Sequence, residues 1–203
     1  MAKKIVDLSV VLNEQTPLYP GDPPVLIKPA GDIVKDGFCI HYISMITHVG
    51  THIDAPMHML EGGESLDSVA VDQFVGRGVL VDVSNGFGAV MKAGIQEGDI
   101  VLFQTGMSEK YHDAVYFEAY PVMPEEVAQY LVESKVKMVG VDAYSVDNEE
   151  DFPIHKLLLG GNVLIIENLT NLHALKDSAF TVCALPLKLQ IDGAPARVIA
   201  VLD

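Results

Sequence analysis

Residues His48 to His58 read "HVGTHIDAPMH". Three of the chain's seven histidines fall here, beside Asp54, with Gly50 and Pro56 punctuating the stretch. Neutral imidazole and carboxylate are ligands for Zn, Mn and Fe(II). The segment therefore reads as a metal site, against the plainer reading of a solvated polar loop. His48 and His52 are four apart, but a helix is disfavoured: Gly50 is a poor helix former, Thr51 and Ile53 are β-branched, and Pro56 closes the segment. A strand end turning into a loop fits better. In extended chain residues two apart face the same way, so His52 and Asp54 point together. A bend at Gly50 can bring His48 round to meet them. His58, held near by Pro56, is either a fourth ligand or a free acid/base.

One such set can bind one ion. Asp54 has two oxygens and could bridge to a second, whose other ligands must come from distant sequence. His155 in "PIHK" and Glu167 in "LIIENL" are the candidates. His41, His112 and His173 lack partners in local sequence and read as structural or surface residues.

The elements that would position these groups are mostly strands. "KIVDLSVVL", "FCIHYISMITHV", "GRGVLVDVS", "GDIVLFQTG", "VKMVGVDAYSVD", "NVLIIENLT", "FTVCALPLKL" and "ARVIAVLD" are rich in Val and Ile and mostly bounded by Gly, Asp or Pro. The second leads straight into the histidine motif. "NVLII" suggests burial on both faces. Helical pattern is scarce. "MPEEVAQYLVES" carries Val127, Tyr130 and Leu131 at i, i+3, i+4 after an acidic first turn. "PIHKLLLGG" predicts a short helix from Pro153 to the Gly160–Gly161 pair. In "LYPGDPPV", Pro20–Gly21 fits the centre of a type II turn. Tyr19 before it is a packing residue or an aromatic lid. The class is a sheet-dominated mixed α/β or α+β domain.

The 203 residues suit a single domain, 1–203. No apolar run reaches the roughly 18 residues of a membrane helix. "MAKKIVDLSV" shows no signal-peptide pattern, so a cytoplasmic location is expected. A net charge of −15 disfavours nucleic acid as a partner. Cys39 and Cys183 form no metal spacing and read as buried free thiols.

The motif matches the HxGTHxDxPxH pattern at every fixed position, and the chain resembles the cyclase family, which includes bacterial kynurenine formamidases and isatin hydrolases. "DLSVVLNEQTPLYPGD", "VLFQTG", "GVDAYSVD", "LIIENL" and "IDGAPARVIA" extend the resemblance over nearly the whole chain. It implies a swivelling β/β/α fold with a barrel-like mixed sheet and few helices. It implies a divalent metal, Zn(2+) or Mn(2+), as two ions per subunit. His48, His52 and Asp54 would hold the first ion with Asp54 bridging. His155 and Glu167 would hold the second, and His58 would be the general acid/base. A homodimer or tetramer is implied as well.

The implied reaction is metal-assisted hydrolysis of an amide. The metal would activate water and polarise the carbonyl, and His58 would shuttle the proton to the leaving nitrogen. For the formamidases the substrate is N-formyl-L-kynurenine. Those enzymes carry a tryptophan just before "PGD"; here Tyr19 stands there as the substrate-contacting residue, and the chain has no tryptophan. Other branches act on lactams, isatin-like compounds or cyclic imides. Two further classes compete: an Fe(II) oxygenase with a 2-His-1-carboxylate triad, and a non-catalytic module that a closed metal site stabilises.

Overall fold

The computed structural model describes residues 3–203; the first two residues of the "MAKKIVDLSV" stretch lie outside it. Ten strands are described: β1 (Ile5–Asp7), β2 (Leu26–Gly31), β3 (Ile40–Ser44), β4 (His52–Asp54), β5 (Val75–Asp82), β6 (Ile100–Gln104), β7 (Met138–Val141), β8 (Leu164–Glu167), β9 (Phe180–Pro186) and β10 (Gly193–Leu202). The α-helices are α1 (Ile33–Asp36), α2 (Glu125–Glu133) and α3 (Pro153–Gly160).

Seven strands follow one another in the order β10-β4-β8-β7-β6-β5-β9, and β9 pairs back with β10 to close a barrel-like sheet. β5, β6, β7 and β8 run parallel, and the other pairings in this sheet are antiparallel. Long β10 serves two neighbours along one edge: its first residues pair with β4 and its later ones with β1.

The near-continuous apolar strands are buried on both faces, because helices cover the parallel part of the sheet. Ile100 and Leu102 of β6 and Leu164 and Ile166 of β8 join one core with Ile53, Phe180 and Val198. The alternate residues Val101, Phe103 and Ile165 join a second core with Leu131 of α2 and Leu158 of α3. Each fully buried Leu or Phe contributes about 1.5–3 kcal/mol relative to exposure.

Both anticipated helices form. Pro124 caps α2, Glu125 and Glu126 sit in its first turn where the helix dipole favours anions, and Val127, Ala128 and Leu131 are buried. Pro153 starts α3, whose buried face is Ile154, His155, Leu158 and Leu159. The Pro20–Gly21 turn also forms: the Asp22 N–H donates to the Tyr19 carbonyl at 3.0 Å, and Gly21 has φ +105°.

Three expectations are corrected. "FCIHYISMITHV" is not one strand running into the motif. Its strand, β3, pairs only with β2, which the sequence did not signal, in a separate two-stranded sheet. The chain then bends before β4 starts at His52. Cys39 is exposed on this hairpin and Cys183 is half-buried, so the free thiols are not core residues. "KIVDLSVVL" yields only the three-residue β1: past Asp7 the Val198 N–H donates to the Ser9 hydroxyl at 2.7 Å and the Thr170 N–H to the Leu8 carbonyl at 2.9 Å, which ends the ladder. His41, His112 and His173 are exposed, as expected.

Candidate metal centre

β4 lies between β8 and β10, and its register assembles the site. His52 stands opposite Glu167, and Asp54 opposite Gly193. Directly opposed residues have Cβ atoms about 4.5–5.5 Å apart, so a histidine and a glutamate distant in sequence become neighbours. Gly50 adopts φ +60°, a conformation costly for other residues, and turns the chain so that His48 faces back toward Asp54. Pro56–His58 form a 3-10 turn that carries His58 over the site. α3 brings in His155 from the other side.

All six residues expected at the centre meet there. His48 Nδ1 lies 2.8 Å from Asp54 Oδ1. His52 Nε2 lies 3.4 Å from both Asp54 Oδ1 and Glu167 Oε2. His155 Nε2 lies 3.2 Å from Glu167 Oε1 and 3.7 Å from Asp54 Oδ2. The His58 ring stacks on that of His48 with centroids 3.9 Å apart. Ligand atoms gather into two close groups, His48–Asp54–His58 and His52–Asp54–Glu167, which share Asp54. His48 and His52 thus fall into different groups.

The outer nitrogen of each deep imidazole is engaged. His52 Nδ1 donates to the Gly50 carbonyl at 2.8 Å, which leaves Nε2 as a bare acceptor aimed inward. His155 Nδ1 lies 3.1 Å from Asp147 Oδ2, an oxygen that also accepts from the Ile154 and His155 N–H groups at the start of α3. His48 Nε2 reaches Asp192 Oδ2 at 2.8 Å. Outer partners of this kind fix ring orientation and raise ligand basicity at metal sites.

The charges are concentrated. Burial opposes ionisation of Asp54, yet His48 and His52 hold its carboxyl well below the usual range. Glu167 is likewise held down, against burial, by His155 and His52. Burial alone would lower His48 and His155, but the facing carboxylates outweigh it and raise them to about 9 and about 10. His58 goes the other way: burial, aided by His48 and His155, holds it below the usual histidine range.

These donors fit a divalent cation. His52 Nε2, Asp54 Oδ2 and Glu167 Oε1 are buried and have no hydrogen-bond partner among the described residues. Leaving such atoms unpaired costs about 1–3 kcal/mol each, more for charged groups, so their convergence marks a place for an ion.

The centre opens into a cleft of about 610 Å³. Tyr19 stacks on Tyr144 at its wall, with centroids 5.2 Å apart and planes within 11°, and Phe117 meets Tyr144 edge-on at 5.0 Å. A second groove of about 790 Å³ along β5 and β9 contains none of the candidate site residues.

Sequence reasoning did not single out Asp147, Asp192 or the aromatic wall of Phe117, Tyr120 and Tyr144. The signals were slight: Asp192 precedes a glycine at the start of a strand, and Asp147 stands six residues before the helix-opening Pro153.

A closed mixed barrel with a His/Asp/Glu centre at its β4–β8–β10 seam defines a class, and comparison with known proteins gives it a family. Residues 6–148 match the Cyclase family, to which the chain belongs. It is 31% identical over 205 residues to the kynurenine formamidase of Salinibacter ruber, covering 96% of each chain. Among solved structures it is similar to a potential metal-dependent hydrolase with cyclase activity (33% identity, TM-score 0.81, 98% of each chain covered). It is also similar to isatin hydrolase A from Ralstonia solanacearum (26% identity, TM-score 0.85, covering 99% of this chain and 92% of that one).

Proposed function

We propose that the protein is a metal-dependent hydrolase of amides or cyclic amides, most like an N-formylkynurenine formamidase. The observation that carries this reading is the convergence of three buried atoms with no hydrogen-bond partner among the described residues, His52 Nε2, Asp54 Oδ2 and Glu167 Oε1. It suits ligation better than a polar core, where the inward atoms would need partners of their own.

His48, His52 and Asp54 would hold one ion, and His155 and Glu167 a second, with Zn(2+) and Mn(2+) both suited to these donors. Asp54 is common to both groups of ligand atoms, which supports it as the bridge, while those groups set His48 with His58 and His52 with Glu167. A bound divalent ion supplies Lewis acidity and activates water at neutral pH. His58 is the proton carrier: held below the usual histidine range, its imidazole is neutral near pH 7 and can accept a proton from the attacking water. It then returns that proton to the leaving nitrogen as the C–N bond breaks. Tyr19, stacked on Tyr144, offers a flat apolar face to an aromatic substrate beside the reacting carbonyl.

The same wall suits a planar bicyclic ring, and the likeness to isatin hydrolase A favours cyclic amides as the second reading. The test is hydrolysis of N-formyl-L-kynurenine, followed by absorbance, on chelator-stripped protein and after Zn(2+) or Mn(2+) is restored. Metal-dependent turnover supports the formamidase reading. Its absence with folded, metal-loaded protein moves the substrate to lactams and cyclic imides, which are screened next.

The reading extends to a single-domain, cytoplasmic homo-oligomer, either dimer or tetramer. No described helix is long and apolar enough to cross a membrane. An isolated two-stranded sheet is marginal without a packing partner, and the β2–β3 hairpin exposes Phe38, Ile40, Tyr42 and Ile43. This exposure supports self-association.

A further inference from the structure

The mouth of the cleft has charges of one sign. Asp22, Glu118, Glu149 and Glu150 line it and are exposed, while no lysine or arginine lines it among the described residues. These four carboxylates stand apart from Asp54 and Glu167, whose charge a metal would neutralise, and from Asp147, which is engaged by α3 and His155. Behind them stand the faces of Tyr19 and Tyr144. Aromatic faces backed by carboxylates attract an ammonium group through both the ring quadrupole and charge. A lone substrate carboxylate at this mouth would meet repulsion and no lysine or arginine, whereas the amino-acid end of N-formyl-L-kynurenine brings its own ammonium beside its carboxylate.

We propose that the site selects aromatic amides carrying an amine cation remote from the scissile bond, and discriminates against isosteres carrying a carboxylate there. This rests on the hydrolase reading above. The amide would sit at the metal centre, the ring against Tyr19 and Tyr144, and the cation among the four rim carboxylates. A cleft rimmed by one sign of charge raises the local concentration of the opposite ion by tenfold or more at low salt, and salt screens the effect because the rim is exposed.

Three N-formylanilines test this on the metal-loaded full chain, with aminomethyl, methyl or carboxylate at the ring position opposite the formamide. The aminomethyl compound should have the highest kcat/KM, about tenfold above the carboxylate compound at low ionic strength. That ratio should shrink as salt is raised. It should approach one in a combined Glu118→Gln, Glu149→Gln, Glu150→Gln variant. Equal or faster turnover of the carboxylate compound would overturn the charge preference and leave the hydrolase reading standing. Turnover of none of the three would count against the formamide reading itself. Calorimetric binding of the three parent anilines then decides the preference separately: the aminomethyl compound binding tightest upholds it, and a flat or reversed order overturns it.

Discussion

Asp192 Oδ2 stands 2.8 Å from His48 Nε2, while the other nitrogen of the same ring stands 2.8 Å from Asp54 Oδ1. The imidazole is clamped between an inner and an outer carboxylate. Gly193 makes room for it, since a Cβ there would lie 2.9 Å from His48 Cε1 and 2.7 Å from the Ile53 carbonyl. Asp192 is thereby placed to orient His48 as a candidate ligand. Asp192→Asn is expected to weaken Zn(2+) or Mn(2+) binding by about 10-fold or more, read by competition with a chromophoric chelator. Unchanged affinity would show that His48 is oriented without it.

His58 separates two roles. As the proton carrier it can be lost without losing the metal, so His58→Ala should retain bound ion by elemental analysis and lose turnover by about 10²–10⁴-fold. Its place beside His48 and Asp54 makes ligation the competing role. Loss of the ion together with activity would establish that role instead.

Behind the site, the fully buried Tyr116 donates its hydroxyl to Asn168 Oδ1 at 2.7 Å. Asn168 follows Glu167 and has φ +57°, so this bond secures the turn just past a candidate ligand. Tyr116→Phe leaves a buried acceptor unpaired and should destabilise the protein by about 1–3 kcal/mol in denaturant unfolding.

Arg197 of β10 grips Asp7 of β1 through two hydrogen bonds, of 2.9 and 2.6 Å, and holds that carboxyl below its usual range. A carboxylate lowered on folding stabilises the protein above the ordinary carboxylate range, and that stability disappears as pH falls through the folded pKa. Arg197→Gln should therefore melt slightly below wild type at neutral pH. The gap should close as pH falls below about 4. A gap that persists in acid would mean that Arg197 acts through packing.

If the β2–β3 hairpin joins copies of the chain, charges on it should separate them. Tyr42→Glu and Ile40→Glu place carboxylates on two exposed apolar positions of β3. Light scattering after size exclusion should then show a smaller particle than wild type. An unchanged mass would take the hairpin out of the interface.

Much of the molecule was legible locally. The candidate ligand motif could be read because His52 and Asp54 share a strand and Gly50 permits the bend that returns His48, all within a few residues. α2 and α3 carry their own start signals, and the both-face burial of β6 and β8 is written in unbroken apolar runs. What local pattern could not decide was which distant segments meet. Glu167 faces His52 only because β4 inserts antiparallel to β8, and Asp192 reaches His48 only because β10 closes the barrel on the other side of β4. β3 looked continuous with the motif, yet it pairs with β2 outside the barrel. Helix starts and strand faces follow from steric and hydrogen-bond rules that act over a few residues. Strand partners and register are set by the burial of whole faces, a free energy shared among segments more than a hundred residues apart.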